Sequence, residues 1–317
     1  LFQAVLRKGL FWFYLERRDI HATVKQEKRP PCSSLYIPDK KSLLFQVSYH
    51  NNRMNFEVFH GLTDGTGAMN FLEELVQNYL ILAHPETELP RVEHEEEITP
   101  GDQEEDSFSQ YYSSEIPRNK EKKPAAVKLK GEKLVHSDMD ITEVILNVKE
   151  TLAKARSYGV SITILLTAML LCSIQEEIPR NRQKKPVTLM IPVNLRNYFP
   201  SQSMGNFFGW IEVGYVFEED TSFEEVLSSV KQQFQEQLQK DRIAMNMNGY
   251  VRIEKNPFVR AVPLEIKKFF LMAGANLGSR SITAVYSNIG IIRLPEEYKE
   301  YIERFGIFAS TDSLQLC

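Results

Sequence analysis

Cysteine is scarce in this chain. Only Cys32, Cys172 and Cys317 occur among 317 residues, far apart and without paired spacing, which excludes a disulfide framework and a cysteine-built zinc site. Cytoplasmic residence is the default expectation for such a chain. Long apolar runs are missing too. The longest, Ile164–Cys172, is too short to span a bilayer core of ~30 Å and reads as a buried core helix, so no membrane span is expected. Nor does charge of one sign dominate: 38 basic residues against 42 acidic ones leave a net charge of -4. That near-balance gives no concentrated basic surface for a nucleic-acid partner. There is no repeat at fixed period, which argues against a solenoid, and no Gly-x-Ser-x-Gly elbow of the hydrolase kind.

What remains is the composition of a folded protein, 43% hydrophobic, 11% aromatic and 25% charged, long enough for two domains of ordinary size. The chain opens on Leu1 within an apolar pattern unlike a signal peptide. Both ends read as cut, with flanking strands expected beyond them.

Strands are expected at Leu10–Leu15, Leu43–Tyr49 and Met54–His60, the last two joined by a turn at His50-Asn51-Asn52-Arg53. A period of two places His60 on one face with Met54, Phe56 and Val58, pointing inward at a strand end. Met69, Leu72, Leu75, Val76 and Tyr79 recur at helical spacing, predicting a helix over Gly67–Ala83. From Pro85 to Lys133 an acidic block precedes a basic one, and the stretch reads as a long exposed excursion.

Beyond it the pattern predicts a strand at Met139–Val148, helices at Lys149–Ser157 and Ile164–Glu177, and strands at Val187–Val193 and Phe207–Phe217. Helices at Phe223–Gln239 and Pro257–Ala273, a strand at Ile282–Ile289, a helix at Glu296–Arg304 and a strand at Gly306–Ala309 follow. Interleaved strands and helices give an α/β fold with α+β mixed sheets. The expected division is an N-terminal domain over 1–137, carrying the charged excursion, and a C-terminal domain over 138–317.

The stretch that carries chemistry is His60-Gly61-Leu62-Thr63-Asp64-Gly65-Thr66-Gly67, a strand end followed by a glycine-punctuated turn and a helix start. Glycines allow a tight backbone path and close approach of a ligand. A neutral imidazole there can take a proton from a hydroxyl, amine or thiol. Asp64 can hold the loop in shape through a distant cation. Two other readings stay open on spacing alone: a helical i, i+4 metal pair, which lacks neighbouring ligands, and a buried histidine satisfied by a backbone carbonyl.

His60-Gly61-Leu62-Thr63-Asp64-Gly65 resembles the His-x-x-x-Asp-Gly signature of the CoA-dependent acyltransferase superfamily. That superfamily includes chloramphenicol acetyltransferase, plant BAHD enzymes, alcohol acetyltransferases and peptide-synthetase condensation domains. Two further stretches are similar to it, in order: Pro192–Arg196 followed by Met204–Gly209, and Tyr286-Ser287-Asn288-Ile289-Gly290. The likeness runs closest to bacterial alcohol acetyltransferase-type proteins. It implies two chloramphenicol-acetyltransferase-like domains with an active-site channel between them, and His60 as general base. It implies a structural Asp64 paired with Arg196, and Gly65 keeping the loop clear. Asn194, Asn206, Ser287 and Asn288 are implied as channel-lining or carbonyl-polarising residues. No bound cofactor and no metal is implied; acyl-CoA is the co-substrate, and a small alcohol or amine is the acceptor.

Phe59 stands where condensation domains carry a first histidine, and the Asp-Phe-Gly-Trp-Gly motif of the plant enzymes is missing. An acyl carrier protein docked on the basic stretch Arg118–Lys133 is the rival donor. A non-catalytic interaction protein on the same scaffold is the rival class.

Overall fold

The structure is a computed structural model that describes residues 1–30, 32–37, 42–91, 101, 105–119, 121–129, 140–179, 184–292 and 294–308. It is mixed α/β, in two compact units. The first holds the described residues of Leu1–Tyr111, Asn194–Phe208 and Ile289–Ala309, the second those of Tyr112–Val193 and Gly209–Asn288. The sequence-based division at 137/138 therefore misses that the chain returns twice to the first unit. Asn194–Phe208 belongs there because Arg196 and Phe207 find their acceptor in Asp64.

In the first unit, β1 (Ala4–Lys8) and β2 (Phe13–Arg17) form an antiparallel pair. Strand β2 starts three residues later than expected, because Gly9 and Trp12 close the connecting turn. Strands β3 (Lys25–Gln26), β4 (Phe45–His50) and β5 (Arg53–Val58) make a second sheet in that order. Asn51 adopts a positive φ of 51°, as a two-residue hairpin turn requires, and sets His50 opposite Arg53 and Phe45 opposite Val58.

Helix α1 (Gly65–Ala83) lays Phe71 against this sheet, stacked on Phe56 at 4.7 Å and touching Phe2 at 4.3 Å. A second cluster joins Leu80 and Leu89 to Tyr298, whose hydroxyl donates to the Pro90 carbonyl at 2.7 Å. The short helix α2 spans Ser107–Gln110.

In the second unit, α3 (Val148–Ser157) is capped by Asn147 and released by Gly159, whose φ is +64°. Helix α4 (Ile162–Glu176), capped by Ser161, buries Leu165, Ala168, Leu171 and Ile174, the core role its apolar run predicts. The sheet runs β7 (Phe208–Tyr215), β6 (Val187–Asn194), β8 (Ala284–Val285), with β6 central and parallel to β8. A central strand covered on both faces reads as a nearly unbroken apolar run, and Val187, Leu189 and Ile191 are buried.

Helix α5 (Phe223–Gln237) starts in a Ser222/Glu225 capping box and packs on α4. Its Gln233 and Gln237 bond the backbone N–H and C=O of Gly214 and Glu212. Side-chain amides thus occupy the edge of β7 that another strand would otherwise pair with.

Several elements differ from expectation. Helix α6 (Lys240–Glu254) was hidden by Asn246, Asn248 and Gly249, although Ile243, Met247 and Val251 recur at four-residue intervals and are buried. The helix expected over Pro257–Ala273 is two, α7 (Pro257–Ala261) and α8 (Leu264–Gly278). Pro263 holds Val262 extended and so breaks it. The strand expected at Met139–Val148 is absent among the described residues: 140–147 carries no regular element, and Val144 and Ile145 are exposed. Met139 lies outside the described residues.

Near the C-terminal end, only a 3-10 turn at Glu296–Tyr298 forms where a helix is expected. Gly306–Phe308 is irregular, and Ala309 lies outside the described residues. The charged excursion is not wholly exposed: Leu89, Ser107, Ala126 and Val127 are buried. Net charge over a long window hides such scattered apolar anchors. No described helix is long and apolar enough to cross a membrane.

Leu189 is fully buried in the central strand. Leu189→Ala should destabilise the protein by about 2–5 kcal/mol, read as a lowered urea midpoint with an unchanged slope.

Candidate functional site

Strand β5 ends at Val58, and the chain then turns. Leu62, Thr63 and Asp64 point into the unit and are buried, whereas His60 and Gly61 are exposed. Leu62 anchors the loop in a cluster with Ala4, Leu44, Val58 and Phe59. His60 was expected to face inward with the apolar side of β5. Because the strand stops two residues earlier, the period of two does not reach it.

Asp64 is the N-cap of α1. Its Oδ1 accepts from the Gly67 N–H at 3.1 Å, and its backbone carbonyl accepts from Ala68. Its Oδ2 accepts from Arg196 Nη1 at 2.7 Å and from the Phe207 N–H at 2.8 Å. The pair is buried, with side chains 6% and 12% exposed for Asp64 and Arg196.

Burying two charges is costly unless both are fully hydrogen-bonded. Arg196 meets that demand: Nε and Nη2 donate to the Ser203 carbonyl, Nη2 also to the Gly205 carbonyl, and Nη1 also to Asn194 Oδ1. Its guanidinium lies over the Phe207 ring, 6.0 Å from the centroid.

Asn194 caps the 3-10 turn Leu195–Asn197, accepting from the Arg196 N–H, and donates to Thr66 Oγ1 at 3.1 Å. Thr63 Oγ1 donates to the Met204 carbonyl. Asn206 Nδ2 donates to the backbone carbonyl of His60 at 2.8 Å. The His60 ring itself lies 5.4 Å from the Phe208 ring, centroid to centroid.

The structure therefore brings His60, Asp64, Gly65, Asn194, Arg196 and Asn206 together in one frame within the first unit. Asn194 and Arg196 direct polar atoms into that frame. The metal-pair reading does not hold, because both Asp64 oxygens are engaged by internal donors. The sealed-histidine reading does not hold either, because His60 is exposed. Among the described residues no cluster of three or more His, Cys, Asp or Glu could hold a metal ion.

Ser287 and Asn288 belong to the second unit. Both are exposed, and Asn288 Nδ2 donates to Thr163 Oγ1 at 3.0 Å. The regular strand there ends at Val285.

The glycine that the loop needs is Gly67. A Cβ there would meet the Met204 carbonyl oxygen at 2.4 Å, whereas one on Gly65 meets nothing within 4 Å. Sequence reasoning missed this close approach, and it missed the acceptors Ser203 and Gly205. Arg196 offered the only clue, since a guanidinium buried in a fold requires several carbonyls around it.

The class that emerges is a two-unit α/β protein whose His-x-x-x-Asp-Gly loop is locked by an internal ion pair. The chain belongs to the family described as phthiocerol/phthiodiolone dimycocerosyl transferase C-terminus, whose model matches residues 139–297, half of the chain. That match includes Arg196 but not His60 or Asp64, and the description is not that of an alcohol acetyltransferase. No curated protein matches the chain by sequence.

Among solved structures, polyketide synthase associated protein 5 from Mycobacterium tuberculosis is 15% identical, with a TM-score of 0.49 over 78% of this chain and 63% of that one. The epimerization domain from the third module of tyrocidine synthetase B is 12% identical, with a TM-score of 0.48 over 78% and 62%. F. sporotrichioides TRI101, complexed with coenzyme A and T-2, is 11% identical, with a TM-score of 0.47 over 90% and 70%. The chain spans less than two thirds of the first two of these proteins.

Removing one partner of a buried ion pair strands the other charge. Asp64→Asn and Arg196→Met should each cost about 3–5 kcal/mol, and the double variant less than the sum of the two, measured as a double-mutant cycle by chemical denaturation. Gly67→Ala should lower the melting temperature clearly, while Gly65→Ala stays close to wild type in differential scanning calorimetry.

Proposed function

We propose that the protein is an acyltransferase that moves an acyl group from a thioester donor, acyl-CoA, to a small alcohol or amine, with His60 as general base. The observation that carries this reading is the division of labour in the loop. Asp64 is held by Arg196 and the Phe207 N–H, so the exposed imidazole is the group left to move a proton. Membership in a family named for a dimycocerosyl transferase supports group transfer.

In this mechanism the neutral His60 ring accepts the proton of the acceptor O–H or N–H as that atom attacks the thioester carbonyl carbon. The tetrahedral oxyanion collapses, the C–S bond breaks, and the imidazolium returns its proton to the departing thiolate. No acyl-enzyme forms. Asn206 donates to the His60 carbonyl and so fixes the backbone from which the ring projects, which reduces the entropy lost on reaching the reactive geometry.

The test is release of free thiol from acetyl-CoA and longer acyl-CoAs with a panel of alcohols and amines. His60→Ala should lower the rate about 10²–10⁴-fold with its unfolding curve unchanged. Equal rates in the two proteins reject the assignment. Turnover with acyl groups on a carrier protein, and none with acyl-CoA, would keep the base and change the donor.

A further inference from the structure

Helix α8 is turned inside out. Its first turn is anchored by Leu264 and Lys267, which are buried, and just past its end Ser279 and Arg280 accept from Lys128 and Ala126, whereas every residue from Phe269 to Gly278 is exposed. Phe269 is 71% exposed, Phe270 66% and Met272 67%, and Phe258 on the preceding α7 is 83% exposed. Consecutive residues lie about 100° apart around a helix, so Phe269, Phe270, Leu271 and Met272 present apolar surface in every direction. Lone exposed hydrophobics are ordinary, whereas a contiguous apolar surface marks a contact with another phase or molecule.

The foot of the helix is basic. Arg260 and Lys268 lie beside the first turn, and Lys255 precedes α7. Burial first, and the Arg260 charge second, lower the Lys267 ammonium pKa. Glu265 pairs with Lys268 at 3.5 Å.

From these features we infer that α7 and α8 seat the protein on an anionic lipid surface. A protein groove covers one stripe of a helix and leaves the opposite face wet, whereas lipid chains can surround apolar side chains on all sides. Basic residues at the foot match anionic headgroups, the arrangement of an interfacial helix. Because both ends of the helix return to the second unit, it lies along the interface with its exposed apolar side chains in one leaflet, and its length of about 22 Å does not span the ~30 Å hydrocarbon core. This inference does not depend on the acyl-transfer reading.

Co-sedimentation with phosphatidylcholine vesicles, with and without a phosphatidylglycerol fraction, tests it on the full chain without any acyl donor. The chain should pellet with the anionic vesicles. Phe269→Ser/Phe270→Ser/Met272→Ser should cut the bound fraction by about tenfold or more, with an unchanged circular dichroism spectrum. Arg260→Gln/Lys268→Gln, or raised salt, should remove the preference for anionic vesicles. A Phe269→Trp probe should shift to the blue on binding and be quenched by brominated lipid. Three results would overturn the proposal: no sedimentation with either vesicle, sedimentation indifferent to the serine variant, or light scattering showing that this variant converts a dimer to a monomer.

Discussion

The first unit turns on one buried carboxylate. Asp64 caps a nineteen-residue helix, accepts from the Phe207 N–H and neutralises Arg196. Two stretches separated by more than a hundred residues are thereby fastened at one point. Coulomb attraction alone does not justify the arrangement, since desolvating both ions opposes it. It holds because the carbonyls of Ser203 and Gly205 and the amide of Asn194 absorb the remaining guanidinium donors. The close passage of Gly67 past the Met204 carbonyl depends on the same fastening.

A consequence follows for chemistry. The Asp64 carboxylate is taken up by internal donors and sits almost out of solvent. The loop leaves one side chain outside, the His60 imidazole, and grips its backbone through Asn206. The loop thus combines a stiff backbone with an accessible ring, the combination that general-base catalysis uses.

Much of this was legible in the residues. The hairpin turn at Asn51-Asn52, the core helix over Ile162–Glu176 and the central strand at Val187–Asn194 follow from turn chemistry and apolar runs. So does the place of the motif between a strand end and a helix. The ion-pair partner came from resemblance and not from spacing, because a contact 132 positions away leaves no local signal. Other features were illegible for stated physical reasons. Interior Asn and Gly masked α6, Pro263 split a helix that periodicity runs straight through, and the early end of β5 reversed the direction expected of His60. Amphipathic logic also fails on α8, whose apolar side chains face outward. A pattern rule assumes water outside, and that assumption is the one the lipid proposal replaces.

The central claim is that an accessible imidazole sits on a rigid loop and meets the acyl donor. Mass-spectrometric footprinting with diethyl pyrocarbonate reports on that ring directly. The account predicts ready carbethoxylation of His60 in the free protein and clear protection when acyl-CoA is added. A His60 that resists the reagent, or one that reacts equally with and without the thioester, would contradict it.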